Sequence, residues 1–553
     1  MTPGHQRPRT AGTPDPDPIR NTPGVSVRVQ FVGVVLLLLF FAVNALIAAR
    51  THTPTVDEFM HLPSGLYYLR TGDFAVNPQN PPLVRMLAAL PLVFMDAKLE
   101  TGPQWHTDPM SWGPWVLGTR FMRLNADRYF DLFFAGRVMI VLLGVAGGLL
   151  VFLWARQLYG ATVGLGSLLL YCTMPVILGH ASVVTPDVGV SSFLIGGFYA
   201  LFRLAERKTW WRAAVAGSLF GLAFCAKSVT LLFLPLVPLL LALGWGWWDK
   251  KGAVRFALAA GVFTLFAWIA VNGVYFFSHF PFPQAAIDGI RYQAAVGVKG
   301  EYPSFLFGAW SLKGWWYYYL VALLYKVPLP FLLLLVLGIL GISRSRLPWR
   351  NAAWIVLPPL LLLYILSFHY HINYGIRYLL PAFPFLILIA GCGIETLLQG
   401  NRSARVCLGA LLLWQTISCV AVSPHHLAYF NELAGGTDHA RRILLDSNVD
   451  WGQDLGRLKQ YMDRQGLPEI RLAYFGHVDP NLYGIRYSFP PAKPEPGLYA
   501  ISANYLGGYP YAITYWDSQI LPVPPRLWSW LDDYKPVARV GHSIYIFDIT
   551  RIK

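Results

Sequence analysis

The chain has 553 residues, 55% of them hydrophobic and 13% charged, with a mean hydropathy of +0.44. Soluble domains carry about a quarter charged residues, so this composition excludes an ordinary soluble enzyme and puts most of the chain in lipid. The formal net charge of +15 does not point to nucleic acid, because the basic residues are scattered through short loops between apolar runs instead of forming a stripe.

Residues 1–26, rich in Pro, Arg and Thr, read as a disordered cytoplasmic tail. The run from Phe31 to Ala48 lacks a small-residue cleavage site and reads as a retained span. A first outer loop of about 50–131 follows. In it, Glu58 to Leu69 has helical spacing with Phe59, Leu62, Leu66 and Leu69 on one face, the pattern of an amphipathic interfacial helix. Pro81-Pro82 breaks the chain before a second such helix from Leu83 to Val93, and Trp105, Trp112 and Trp115 supply interfacial anchors. Further spans read at 132–154, 161–179, 186–204, 213–226, 229–247, 256–277, 328–342, 353–368, 378–397 and 404–422, about eleven in all. The segment 315–324 is either another span or an interfacial helix, with Trp315 to Tyr319 as an aromatic belt.

The short loops give the orientation. Arg156, the Arg203 to Arg212 cluster, Lys250 to Arg255, the Arg344 to Arg350 cluster, Arg402 and Arg405 fall on one side with the N-terminal tail, and the positive-inside rule makes that side the cytoplasm. The outer side then receives the first loop, the His180 to Pro186 turn, Lys227, residues 278–315, the His369 to Arg377 turn and everything after about 423. Residues 27–422 form the membrane domain, and 423–553 read as a small extracytoplasmic α/β domain. That region has a helix expected at 451–465, capped by Asp450 and Gln453, and strands at Ile470 to Phe475, Leu498 to Ala503 and Val537 to Asp548. All five cysteines lie in apolar runs without metal-ligand spacing and read as small hydrophobes.

Asp57 and Glu58 are adjacent carboxylates where the chain leaves the bilayer, a position at which ionisable groups serve a pathway or a reaction. The structural alternative is that both only cap the helix that follows. Asp187 follows Thr185-Pro186 at the outer start of a span, and Arg377 and Lys227 are outer-side cations able to hold an anion. His369-x-His371 offers two imidazoles with no third ligand in sequence. Asp446-x-Asn448-x-Asp450 has calcium-loop residues, but Gly452 is out of register and Arg457 stands where the acid belongs, so a helix start explains it better.

In this order and on one side of the membrane, Asp57-Glu58, Gly72-Asp73, Asn80-Pro81-Pro82-Leu83 and Arg377-Tyr378-Leu379-Leu380-Pro381-Ala382-Phe383-Pro384 resemble the motifs of the GT-C membrane glycosyltransferases. The resemblance is closest to the bacterial branch of the protein O-mannosyltransferase family, which includes the lipid A aminoarabinose transferases, and it covers about residues 30–400. The segment Asp446 to Asp454 resembles the tail of a less characterised bacterial subgroup.

The resemblance implies a GT-C fold and a family-39-like enzyme in a bacterial plasma membrane. Such an enzyme moves a sugar from a polyprenyl-phosphate carrier to a hydroxyl on a protein, lipid or glycan, usually with inversion. It implies Asp57 as the base with Glu58 beside it, Asp187 as a second acid, and Arg377, Tyr378 and Lys227 as carrier-phosphate ligands. Gln79 and Asn80 stand where some relatives have an acid and a base; being neutral, they argue against a metal or phosphate contact there. The chemistry leaves room for a divalent cation but requires none. Two other readings share the architecture: a flippase of lipid-linked sugars, and an outer-face glycan ligase or polymerase. No internal repeat favours the first.

Overall fold

The computed structural model describes residues 25–102, 113–245, 250–299, 303–343, 347–370, 373–509, 512–514 and 520–549. Each apolar run becomes helix, because a chain crossing lipid has to satisfy its backbone polar groups within the segment. In chain order the helices are α1 (Val27–Thr51), α2 (Val56–Thr71), α3 (Leu83–Phe94), α4 (Gly113–Leu124), α5 (Tyr129–Tyr159), α6 (Ala161–Cys172), α7 (Pro175–Ala181), α8 (Pro186–Glu206) and α9 (Trp210–Ala226). They continue as α10 (Leu236–Trp245), α11 (Lys250–Val274), α12 (Gln284–Lys299), α13 (Tyr318–Lys326), α14 (Leu329–Ile342), α15 (Trp349–Phe368), α16 (Phe383–Gln399) and α17 (Arg402–Val422).

Among the described residues, seven helices are long and apolar enough to cross a membrane, or nine if two bent pairs each count as one span. The bent pairs are α6 with α7, at 59°, and α13 with α14, at 120°. The expected runs at 213–226 and 229–247 appear as helices too short for that measure. The sequence count of eleven therefore stands above the seven to nine that length and apolarity support. Prolines explain the breaks: Pro175 and Pro328 flank the two bends, where no backbone N–H continues the ladder.

The first outer loop differs from expectation in one respect. Its helix α2 is buried from Glu58 to Tyr68, not laid along a surface with one face exposed. Helices α3 and α4 pack on it, and Gly65 admits the closest approach, since a Cβ there would lie 2.0 Å from the carbonyl oxygen of Arg85 on α3. Trp105 and Trp112 lie outside the described residues. Within the aromatic run at 315–319, Tyr318 and Tyr319 are core residues, whereas Trp316 is exposed and stacks on Phe368.

The C-terminal region carries one further long helix, α18 (Leu455–Gln465), and a five-stranded mixed sheet. Hairpin strands β1 (Ser304–Leu306) and β2 (Ala309–Ser311) precede it in the chain. The sheet contains β3 (Ile470–Ala473), β4 (Tyr487–Ser488) and β5 (Gly497–Ser502). After a small hairpin of β6 (Ala512–Thr514) and β7 (Ile520–Pro522), it is completed by β8 (Ala538–Val540) and β9 (Ile544–Ile549), in the order β4-β3-β5-β9-β8. The strand expected at Val537 to Asp548 is two strands, because Gly541 turns the chain at φ +65°. Helix α18 begins at Leu455 rather than 451: Asp450 accepts from the Gly452 N–H, and Gln453 accepts from the Trp451 N–H, folding 446–454 into a loop.

That loop seats the C-terminal region on the membrane helices through main-chain bonds. Thr53 N–H donates to Gln453 O (2.9 Å) and Val56 N–H to Trp451 O (3.0 Å), while Lys326 Nζ donates to Leu427 O (2.7 Å) and Asn448 O (2.5 Å).

Gly65→Ala forces a Cβ into the α3 backbone, an overpacking cost of about 1–3 kcal/mol or more. Thermal unfolding of the purified protein should fall clearly for Gly65→Ala and stay unchanged for Gly261→Ala, whose Cβ meets nothing within 4 Å.

Candidate active site

A cavity of about 760 Å³ opens between the start of α2, the start of α8, the Lys227 turn, α12, the Arg377 turn and the loop 446–454. The structure brings Asp57, Asp187, Lys227, Arg377 and Tyr378 together on its wall. Five of the six side chains picked out from sequence thus share one space, drawn from positions as far apart as 57 and 378.

Two ion pairs face one another there. Arg377 Nη1 lies 2.5 Å from Asp57 Oδ2, and Lys227 Nζ lies 2.6 Å from Asp187 Oδ1. Both cations lie near the Tyr378 ring, Lys227 Nζ at 4.6 Å and the Arg377 guanidinium at 5.6 Å. A second ring, Trp451, lies 4.5 Å from the same guanidinium. The planar cation is thus held by π faces, one carboxylate and the Tyr374 carbonyl, to which its Nε donates (3.4 Å), at a wall of the cavity.

Glu58, the sixth, does not line the cavity. Its carboxylate is fully buried and grips Arg137 with both oxygens, at 2.8 Å to Nε and 2.7 Å to Nη2. It also accepts from the Thr55 N–H (2.9 Å), the Thr55 hydroxyl (3.0 Å) and the Val184 N–H (2.7 Å). Thr55 is the N-cap of α2 and Glu58 closes the capping box, so Asp57 is not the cap and its side chain is left for the cavity. Arg137 further donates to the carbonyls of Ala49, His52 and Thr53. One buried pair thus ties α1, α2, α5 and the turn before α8 together directly behind Asp57.

Arg377 is positioned from the other side. Gly375 takes φ +96°, and a Cβ there would lie 2.8 Å from Ser447 Oγ, so only glycine lets the loop 446–454 approach. Across that contact Asn448 Oδ1 accepts the Ile376 N–H (3.1 Å), and Ser447 Oγ donates to Tyr374 O (3.0 Å).

Burial works to raise the Asp57 carboxyl, but Arg377 outweighs it and holds the group below the usual carboxylate range. Asp446, which lines the same cavity, is pushed up to about 6 by burial that Arg377 only partly offsets. His61, one turn after Asp57 on α2, is lowered to about 4, again by burial, so it is neutral near pH 7. Its Nδ1 pairs with Val184 O (3.1 Å), which leaves Nε2 as a lone-pair acceptor.

Asp446, His61 and Trp451 are cavity residues that were not picked from sequence. His61 had a signal, the i, i+4 spacing from Asp57. Asp446 and Trp451 lie in the segment Asp446 to Asp454 that the sequence singles out, but its pattern was read as a helix start, and loop approach, not spacing, brings them to the cavity. The calcium reading of 446–450 fails on geometry: Asp446 faces the cavity, Asn448 the Arg377 turn and Asp450 the Gly452 N–H. His369 is exposed beside Tyr364, and His371 lies outside the described residues. Among the described residues no three His, Cys, Asp or Glu side chains gather as a metal site.

Residues 121–271 match the family model described as dolichyl-phosphate-mannose-protein mannosyltransferase. The match bears out the resemblance to membrane glycosyltransferases over a segment that holds Arg137, Asp187 and Lys227; Asp57 and Arg377 lie outside it. Of solved structures, ArnT from Cupriavidus metallidurans bound to undecaprenyl phosphate is similar at 13% identity and TM-score 0.47, over 95% of this chain and 98% of that one. The S. cerevisiae protein O-mannosyltransferase Pmt1-Pmt2 complex bound to the sugar donor is similar at 19% identity and TM-score 0.33, over 47% of this chain and 34% of that one. No curated protein sequence matches the chain.

The Glu58–Arg137 pair gives a clean test of what holds the site. Arg137→Ala strands a carboxylate that is wholly buried and should cost about 3–5 kcal/mol. Asp57→Asn, at a carboxylate that is partly open to the cavity, should cost far less. Thermal unfolding of the two variants beside wild type checks the ranking.

Proposed function

We propose that this chain, whose residues 121–271 match the mannosyltransferase family model, is a glycosyltransferase that moves a sugar from a polyprenyl-phosphate donor to an acceptor hydroxyl. The observation that carries the reading is the meeting at one cavity of a carboxylate, Asp57, with a guanidinium, Arg377, beside the second pair Asp187–Lys227. The site faces outward across a bacterial plasma membrane, with the N-terminus in the cytoplasm. That orientation rests on the basic short loops.

Each group has a task in this chemistry. The carrier phosphate is received by Arg377, whose fork matches phosphate oxygens, and by Lys227 as a point charge. The acceptor oxygen attacks the anomeric carbon from the face opposite the phosphate, so the configuration inverts. As that bond forms, the bond from the anomeric carbon to the phosphate oxygen breaks, and its electron pair leaves on the carrier phosphate. The hydroxyl proton passes to Asp57, which later returns it to water. Developing charge on the phosphate is met by cations already fixed in place. Asp187 keeps Lys227 oriented, and the Tyr378 ring packs on both cations. Glu58 acts at a distance, by fixing the helix that presents Asp57.

The ion pair between Asp57 and Arg377 also sets an order of events. With the pair closed, the base is held below its usual range and is weak. A phosphate that engages Arg377 competes with Asp57 for the same cation. Donor binding therefore releases the carboxylate and strengthens it as a base when an acceptor is to be deprotonated.

The flippase reading gains nothing from this geometry, since it gives no task to a carboxylate paired with the phosphate-binding cation. Asp57→Asn keeps size and, because Thr55 is the cap, leaves helix α2 intact. With a defined undecaprenyl-phosphate-linked sugar as donor, transfer by Asp57→Asn should fall at least about a hundredfold, the scale of general-base catalysis, while undecaprenyl phosphate still binds. Transfer near the wild-type rate would remove Asp57 as the base.

A further inference from the structure

The proposed reaction assigns no substrate contact to one wall of the cavity. It is built by the C-terminal region: Asp446 and Trp451 from the loop 446–454, with Phe475 and Tyr509 from beside the sheet. The wall is held in place. The Asp446 N–H donates to Asn504 Oδ1 (2.8 Å), and two residues on Asn448 Oδ1 accepts the Ile376 N–H and Nδ2 donates to the Tyr318 hydroxyl (3.2 Å). Apart from the backbone N–H of Ser447, no donor among the described residues holds the Asp446 carboxylate.

A second observation points to a ligand. Asp187 Oδ2 and His61 Nε2 belong to side chains that line the cavity, are about 1% exposed, and have no partner at these atoms among the described residues. With Nδ1–H given to Val184 O, His61 Nε2 is an acceptor, as are both carboxylates. The cavity thus offers acceptors that lack donors, beside the aromatic rings of Phe475 and Tyr509. Buried acceptors are costly unless a partner arrives. A phosphate brings no donor and is repelled by Asp446. A sugar ring brings several hydroxyl donors and C–H faces that pack on aromatic rings.

We propose that Asp446 is a substrate-binding residue, supplied by the C-terminal region, which accepts hydrogen bonds from ring hydroxyls of a carbohydrate held in this cavity. The inference rests on the glycosyltransferase reading and extends it to the saccharide itself. The carbohydrate has two sources, the sugar of the lipid-linked donor or a sugar of the acceptor, and one set of measurements separates them.

The variants are Asp446→Asn, which removes charge and one acceptor oxygen yet suits the left-handed backbone at φ +57°, and Asp446→Ala. Purified full-length protein in lipid nanodiscs is titrated with undecaprenyl phosphate and with undecaprenyl-phosphate-linked sugars, and its transfer and its hydrolysis of the lipid-linked sugar are followed. A contact to the donor sugar predicts that both variants bind the sugar-bearing lipid at least tenfold more weakly than wild type but bare undecaprenyl phosphate equally well. A contact to an acceptor sugar predicts unchanged affinity for both lipids and unchanged hydrolysis, with the acceptor KM raised at least tenfold. Variants that match wild type in every one of these readouts overturn the subsite and leave the function standing. A wild-type protein that ignores undecaprenyl phosphate and its sugar conjugates overturns the function and the subsite together.

Discussion

Everything at this site depends on one contact between residues 320 positions apart, the ion pair of Asp57 with Arg377. The pair lies at a cavity wall, its side chains only 21% and 12% exposed, so the desolvation of both charges offsets much of their attraction and its own net contribution to stability is small. What fixes it is the structure behind each partner. Asp57 sits in the first turn of a helix whose start is capped by Thr55 and Glu58, clamped by buried Arg137 and bonded at Val56 N–H to Trp451 O. Arg377 sits on a turn that Gly375 opens and Asn448 holds. The loop 446–454 touches Arg377 through the Trp451 ring and bonds Val56, the neighbour of Asp57, which makes the C-terminal region part of the site's frame.

The same arrangement gives the pair two states. Closed, each group satisfies the other, and a buried cation and a buried acid are tolerated together. Opened by a phosphate, Arg377 keeps an anionic partner and Asp57 loses its own. The Glu58–Arg137 pair behind it has no such freedom, since every oxygen of the carboxylate is already engaged by groups that do not face the cavity. Two adjacent acids thus separate into a fixed one and a switchable one, because successive residues of a helix point about 100° apart.

Much of this was legible in the sequence, and the failures are instructive. The apolar runs located the long membrane helices, because lipid permits little else, whereas the polar helix α12 inside the expected outer loop 278–315 was missed. The count of eleven spans is not confirmed: among the described residues seven to nine helices are long and apolar enough, and the other expected runs are bent at prolines or short, which hydropathy does not register. Asp57, Asp187, Lys227 and Arg377 were found because each is a charged group at an outer span end, and Tyr378 was found through the motif resemblance. Glu58 was paired with Asp57 because sequence shows adjacency but not direction. The helix at 451–465 was begun four residues early: Asp450 and Gln453 have capping chemistry, but Gly452 at φ +85° turns the chain out of helix. Asp446 and Trp451 were invisible as cavity residues because tertiary approach alone brings them in.

The central claim is that the Asp57 carboxylate is restrained by Arg377 and released when a carrier phosphate takes that cation. Infrared difference spectroscopy of the purified protein in nanodiscs, with Asp57→Asn to assign the carboxylate band, follows the protonation of Asp57 against pH with and without undecaprenyl phosphate. The account predicts that Asp57 protonates below the usual carboxylate range in the free protein and at clearly higher pH once the carrier is bound. A carrier that binds and leaves the Asp57 titration where it was would contradict it.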